Sequence, residues 1–461
     1  MKEPLHQTLQ HLSYKHGPIF SLQLGTRFVV VLSSPSTVQE CFTNNDVIFA
    51  NRPRLLVGKH LNYDYTTIGA APYGHLWRNL RRFTTLEIFS TTRLNMYLSI
   101  RQAEIKLLLK SLYQASGENC VKVEMKSRLS ELAFNIIMRM VAGKRYFGVD
   151  VKDYEEARLF RDIIREIFDL SGASNPGDFL PILQWIDYQG LEKRMLKLRR
   201  KADVFLQGLI DEHQNKQGLS YSQEGRTNTM IDNMLSLQDS EPEFYSDDII
   251  KGIILILLTA GTDTSAVTIE WAMSLLLNHP DVLKKARFEL DNYASQDRLI
   301  DEPDLSKLPY LQSIVNETLR MFPPVPLLSP HESSADSTIG GYFIPRNTML
   351  LVNAWAIHKD PQVWGDPQNF RPERFEDEDG EGEAHMLIPF GLGRRSCPGA
   401  GLANRVVGLA LGALIQCFEW ERVSEELEDM SEGTGLIMPK AKPLETMCRA
   451  RERMISVLAG L

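Results

Sequence analysis

Near the start of the chain, two apolar-rich runs, Ile19 to Leu24 and Arg27 to Leu32, flank the pair Gly25-Thr26. Strand-like runs joined by such a two-residue turn predict a β-hairpin. Pro35 then opens a short helix to about Asn45, with Ser34 placed to cap it. Between 51 and 72 no period is sustained, so the stretch reads as a long loop, of a size that is usually functional or disordered. Helical spacing dominates afterwards, over roughly 72–85, 92–115, 124–142, 152–170, 188–215, 229–238 and 246–278. Ser246-Asp247-Asp248 sets a cap and two carboxylates at the positive end of the last of these. A helix over 310–321 stops at Pro323-Pro324, and strand-like pieces follow around 325–330, 337–344 and 348–352. The polar stretch 215–229 predicts an exposed connection, and the acidic run Glu376 to Glu383 a solvated loop. Helices in the middle with small sheets on either side predict a mainly α fold, one domain over residues 1–461.

Composition narrows this picture. The chain of 461 residues is 43% hydrophobic and 24% charged, as ordinary globular proteins are. Its net charge of -8 gives no reason to expect nucleic acid. Five cysteines (Cys41, Cys120, Cys397, Cys417, Cys448) are too scattered for a disulfide framework, which favours a reducing compartment. The apolar runs 252–260 and 406–418 are shorter than the about 18 residues of a membrane span and read as buried core helices. Met1 to Lys15 is polar and lacks a signal-peptide pattern.

Candidate chemistry gathers at Phe390-Gly391-Leu392-Gly393-Arg394-Arg395-Ser396-Cys397-Pro398-Gly399, directly ahead of an apolar helix. A helix N-terminus and nearby cations favour a thiolate, so Arg394 and Arg395 are expected to lower the pKa of Cys397. Gly393 and Gly399 permit tight turns or close approach to a flat ligand. The other reading is a buried structural cysteine at a helix start. A second signal is Ala260-Gly261-Thr262-Asp263-Thr264-Ser265, which interrupts the apolar run of the helix 246–278. Such a conflict between local propensity and burial marks functional or strained sites. Thr264 is expected to bond the Ala260 carbonyl one turn back, opening the helix beside a carboxylate suited to proton delivery. The alternative is a kinked helix whose polar groups are satisfied. Glu317 and Arg320 share a helix face and can pair, with Arg374 as a third member, although such pairs are common on surfaces. Trp77 and Arg81, four apart, can face one ligand edge, or merely pack together.

Taken in this order, Ala260-Gly261-x-Asp263-Thr264-Ser265, Glu317-x-x-Arg320, Phe370-x-Pro372-Glu373-Arg374-Phe375 and Phe390-x-x-Gly393-x-Arg395-x-Cys397-x-Gly399 resemble the cytochrome P450 monooxygenases. Trp77-x-x-x-Arg81 is similar to that family's helix near the haem, and the likeness runs through practically the whole chain. The wording of 72–78, 353–361 and 389–395 resembles the plant microsomal branch that oxidises flavonoids, lignans, terpenoids and other specialised metabolites.

The resemblance implies a triangular fold with a long core helix over haem b. It makes Cys397 the axial thiolate of the iron, and Trp77, Arg81, His331 and Arg395 partners of the haem propionates. Phe390 and Gly399 belong to the cysteine loop, and Ala260 and Gly261 leave room for dioxygen. Asp263 and Thr264 become the proton relay, while Glu317, Arg320 and Arg374 brace the core. Electrons are expected from NADPH through a reductase guided by Arg78, Arg82 and Arg394. Substrate contacts are expected from the loop 54–71, from Leu257, Val325, Leu327, Leu328, Ile437 and Met438, hence a hydrophobic small molecule. The implied location is the endoplasmic reticulum membrane, with the catalytic domain facing the cytosol and an anchor preceding this chain. The resemblance also admits a non-oxygenating isomerase or dehydratase, which the Asp263-Thr264 pair disfavours, and a haem sensor without turnover.

Overall fold

A computed structural model describes residues 3–116, 119–148, 154–172, 175–219, 228–294, 298–376 and 386–461. The expected hairpin forms, with Ile19–Leu24 antiparallel to Arg27–Leu32. Met349–Val352 joins it in parallel and His331–Glu332 closes this sheet of four strands. The Pro35–Phe42 helix follows, its first turn capped by Ser34, whose side chain accepts the Thr37 N–H. A second sheet orders Val121–Glu124, Glu445–Ala450 and Phe418–Arg422, and none of these three strands has a counterpart in the sequence reading. The region 337–344 is a separate hairpin, Ser337–Ile339 with Tyr342–Ile344.

Helices make the body of the molecule, and several differ from expectation. The segment 92–115 is two helices, Thr91–Met96 and Leu98–Ser116, separated at Tyr97. The loop 51–72 contains the Leu56–Leu61 helix, and Tyr63, Asp64 and Tyr65 follow in the left-handed region with φ of 47°, 53° and 62°. No strand forms over 325–330. Instead the Leu328 N–H returns to the Val325 carbonyl in a turn, with Leu328 at φ 51°. Prolines at 323, 324, 326 and 330 remove the donors a strand would need. The expected connection 215–229 and acidic loop 376–383 lie mostly outside the described residues.

The segment 246–278 is divided into Asp247–Ala260 and Asp263–Asn278. Three threonine hydroxyls bond backward at and around the division: Thr259 to Leu255 O, Thr262 to Leu258 O, and Thr264 to Ala260 O. Such back-bonding bends helices. Asp247–Asn278 and Ala400–Cys417 are apolar and long enough to cross a membrane by length and composition, a test the shorter apolar runs alone do not meet. Both are mostly buried inside this fold, and Trp271 in the first stacks on Phe322 at 3.9 Å.

Candidate active site

The Cys397 loop is shaped by its glycines and its backbone bonds. Gly391 and Gly393 take φ of 71° and 66°, and a Cβ on Gly393 would fall 2.6 Å from Asp46 Oδ1 and 2.8 Å from the Phe42 carbonyl. Only glycine meets both demands there. The Cys397 N–H donates to the Phe390 carbonyl at 2.8 Å, closing the loop on itself. Gly399 has no such conformational duty, since it caps the Ala400–Cys417 helix with φ -88°. It lies close to Cys397, where a Cβ on it would sit 3.8 Å from the sulfur, and its N–H and that of Ala400 favour the charged form of the thiol.

Cys397 is accessible to solvent, yet close enough to protein on its other sides that burial is the largest influence on it and pushes its thiol up. The Gly399 and Ala400 N–H groups and the Arg81 guanidinium oppose that push. The expected roles of Arg394 and Arg395 are therefore corrected. Arg394 donates to Asp46 Oδ2 at 2.7 Å and to the Tyr73 hydroxyl at 2.8 Å, which also removes it from a free docking patch. Arg395 donates to the carbonyls of Ala50, Ile68 and Ala71 at 2.7, 3.2 and 2.6 Å. Arg81, not its sequence neighbours, is the cation acting on the sulfur, and it is tied to the same loop through the Ser396 carbonyl. Arg78 and Arg82 remain exposed.

Around Arg395 several basic groups crowd together. Its guanidinium lies 4.3 Å from the Trp77 ring centroid, and Trp77 itself donates to the Ile68 carbonyl at 3.2 Å. Burial, with Arg52 and Arg81 nearby, lowers the Arg395 pKa to about 8. His331 is 5% exposed and donates from Nδ1 to the Phe49 carbonyl at 2.7 Å. Burial, Arg52 and Arg395 hold its imidazole well below the ordinary histidine range, against that bond, so the ring is neutral. Arg52 donates to the Ser329 and Pro330 carbonyls, directly before His331, and its buried Nε has no partner. Among the described residues no carboxylate pairs with Arg52, Arg81 or Arg395. Partly buried cations crowded together without counter-ions among the described residues call for an anion. Arg52 was missed in the sequence, where it stands in a stretch without periodicity.

The core-helix interruption forms the other part of the site. Ala260 is exposed and Gly261, Asp263 and Thr264 are partly so, although their helices are otherwise buried on nearly every face. Thr264 Oγ1 donates to the Ala260 carbonyl at 2.7 Å. Burial raises the Asp263 carboxyl above the usual range, with Lys126 opposing. A Cβ on Gly261 would meet the Leu257 carbonyl at 2.8 Å and Ile137 at 2.9 Å, so the small residue is required by close approach. Glu317 and Arg320, both 0% exposed, pair through Arg320 Nε and Nη2 at 2.7 and 2.9 Å. Arg374 Nε adds a third contact to Glu317 at 3.0 Å, and the Arg371 N–H a fourth at 2.9 Å.

A family model for cytochrome P450 matches residues 1–446. The chain belongs to the cytochrome P450 family. Among curated relatives, cytochrome P450 81Q32 of Catharanthus roseus is 58% identical over 99% of this chain and 89% of its own length. A (+)-piperitol/(+)-sesamin synthase of Sesamum radiatum is 55% identical over 99% and 89%, and an isoflavone 3'-hydroxylase of Medicago truncatula 54% over 98% and 89%. A zebrafish cytochrome P450 solved with progesterone superposes with a TM-score of 0.83 at 26% identity, covering 97% of this chain and 100% of that one.

This cytochrome P450 is a haem-dependent monooxygenase of the plant specialised-metabolism kind, supplied with electrons from NADPH by a reductase. The residues present fit its cofactor. An accessible sulfur whose charged form is favoured by two nearby N–H groups and Arg81 suits an iron ligand, and clustered cations lacking carboxylate partners among the described residues suit two propionates. Of the expected substrate contacts, Val325, Leu327, Leu328 and Ile437 are partly exposed. Leu257 and Met438 are 7% and 2% exposed and belong to the main apolar cluster, where the Met438 carbonyl also accepts the Trp271 indole N–H.

Proposed function

We propose that this cytochrome P450 hydroxylates, or oxidatively closes a ring on, a hydrophobic aromatic plant metabolite of the isoflavonoid or lignan kind. The observation that carries the reading is the set Ala260, Asp263 and Thr264, accessible at the single interruption of an otherwise buried core helix. A protonatable carboxyl and a hydroxyl at that position suit a reaction that consumes protons. The substrate class rests on relatives whose names give isoflavone hydroxylase and sesamin synthase activities. It rests also on the apolar character of Val325, Leu327, Leu328 and Ile437.

Bound haem iron supplies the reduction of dioxygen and the transfer of its oxygen atom. The polypeptide does the rest. Cys397 holds the iron, and the Gly399 and Ala400 N–H groups with Arg81 stabilise charge on its sulfur. Arg52, Arg81, Arg395 and neutral His331 hold the propionates, with Trp77 packed against Arg395. Asp263 holds a proton and Thr264 Oγ1 passes it on. Hydroxylation takes one C–H bond, dioxygen, two electrons and two protons to C–OH and water. Ring closure removes two hydrogen atoms from the substrate and sends both oxygen atoms to water.

The main apolar cluster draws residues from Leu56 to Leu458, which supports one catalytic domain along the chain. The microsomal character of the branch supports a seat on the endoplasmic reticulum membrane, facing the cytosol. The test is incubation with a plant reductase, NADPH and a panel of isoflavones, furofuran lignans and small terpenoids. NADPH-dependent products that gain one oxygen or lose two hydrogens are expected from the aromatic members. A preference for a small charged substrate would overturn the assignment.

A further inference from the structure

A second buried ion cluster lies outside the site described above. Arg101, on the Leu98–Ser116 helix, is 0% exposed and grips Glu302 by two bonds, Nε to Oε2 at 2.6 Å and Nη2 to Oε1 at 2.8 Å. Arg405, on the Ala400–Cys417 helix, completes the cluster. Its Nη1 donates to Glu302 Oε1 at 2.7 Å and to Asn95 Oδ1 at 2.8 Å. Buried ion clusters are weak devices for stability, because desolvation offsets their attraction, and fixing a register is their better-attested use.

The register at stake is that of the helix behind Cys397. From Val406 to Cys417 every residue is buried, so packing alone locks that part. The first turns are different: between 400 and 405 only Leu402 is buried. Among the described residues Arg405 makes the only side-chain hydrogen bonds from this end of the helix. The same end adjoins Cys397: a Cβ on Gly399 would lie 3.8 Å from its sulfur, and the Gly399 and Ala400 N–H groups oppose the upward push of burial on its thiol. A small tilt of these turns would move both donors away from it.

We infer that Arg405, held by Glu302 and Asn95, is a positioning residue for Cys397. It anchors the partly exposed start of the helix so that the Gly399 and Ala400 N–H groups stay beside the sulfur. The inference rests on the haem–thiolate reading. Its test uses purified haem-loaded protein and three variants. Arg405→Met leaves the Arg101–Glu302 pair intact, Arg405→Lys keeps a cation, and Asn95→Ala removes only the milder contact and serves if Arg405→Met does not fold.

The readout is the red-shifted absorbance band of the reduced carbon-monoxide complex and its rate of conversion to the unshifted form on mild warming. Helical circular dichroism is followed in parallel. Loss of a hydrogen-bonded charge predicts conversion about tenfold faster in Arg405→Met, several-fold faster in Asn95→Ala, and near the parent rate in Arg405→Lys. All of this is expected at temperatures where the helical signal has not changed. Conversion at the parent rate in Arg405→Met and Asn95→Ala, or only in step with loss of that signal, overturns the inference alone. A parent protein without the red-shifted band overturns the haem–thiolate reading and this inference with it.

Discussion

Thr264 Oγ1 donates to the Ala260 carbonyl at 2.7 Å, bridging the point where the Asp247–Ala260 helix stops and Asp263–Asn278 begins. The bond satisfies a carbonyl that the interrupted ladder would leave without a helical donor, and it fixes the hydroxyl next to Asp263, the partly exposed carboxyl at the interruption. One side chain thus maintains the bend and presents the proton carrier.

Thr264→Ala removes the hydroxyl and leaves the bend to Thr259 and Thr262. Product formed per NADPH consumed is expected to fall by about 100-fold, the lower end of what a positioned proton donor contributes. Substrate-induced Soret shifts are expected to stay as in the parent. Thr264→Ser is expected to recover most of the coupling.

Asp263 bears on pH dependence. Burial raises its folded-state pKa above the unfolded value, so between those two values the folded protein binds more protons than the unfolded chain. Stability therefore declines as pH rises through that window, and the cost of the ionised group is fully present above it. Asp263→Asn is expected to raise the melting temperature at neutral pH and to leave it unchanged below the ordinary carboxyl range. Turnover is expected to drop about 100-fold. Melting curves of both proteins across pH check the sign.

Glu317 is gripped by Arg320, fully buried beside it, and also accepts from Arg374. Glu317→Ala leaves buried positive charge uncompensated, and removal of one partner from such a pair costs about 3–5 kcal/mol. Denaturant unfolding of the haem-loaded protein is expected to show that loss, or the variant to accumulate without haem.

Arg52 contributes to a group of cations that repel one another until an anion arrives. Arg52→Met is expected to stabilise the haem-free protein while speeding haem transfer to an acceptor globin about tenfold, the worth of one charge-assisted hydrogen bond. Opposite signs for the two forms distinguish anion binding from ordinary packing.

Arg78 and Arg82 are exposed on the His75–Phe83 helix, whereas Arg394 is engaged by Asp46. Arg78→Glu combined with Arg82→Glu is expected to slow reduction by an acidic reductase roughly 10-fold or more at low salt, with the difference shrinking as salt screens the charges. Arg394→Gln is expected to loosen the cysteine loop instead, lowering the melting temperature with little change in salt dependence.

The sequence by itself determined the hairpin at the start, the helical body, the interruption at Ala260 to Ser265 and the cysteine loop ahead of its helix. These are local matters: periodicity, caps, glycine and proline act over a few residues, and the Thr264–Ala260 bond spans one turn. Tertiary structure decided which charges meet. Arg81 reaches Cys397 from the far side of the chain while the adjacent Arg394 and Arg395 turn to Asp46 and to three carbonyls. Arg52 enters a cation cluster from a stretch with no pattern, and prolines replace the strand expected over 325–330 with a turn. A long side chain finds its partner through the path of several loops, and a pattern of neighbours along the chain carries no record of that path.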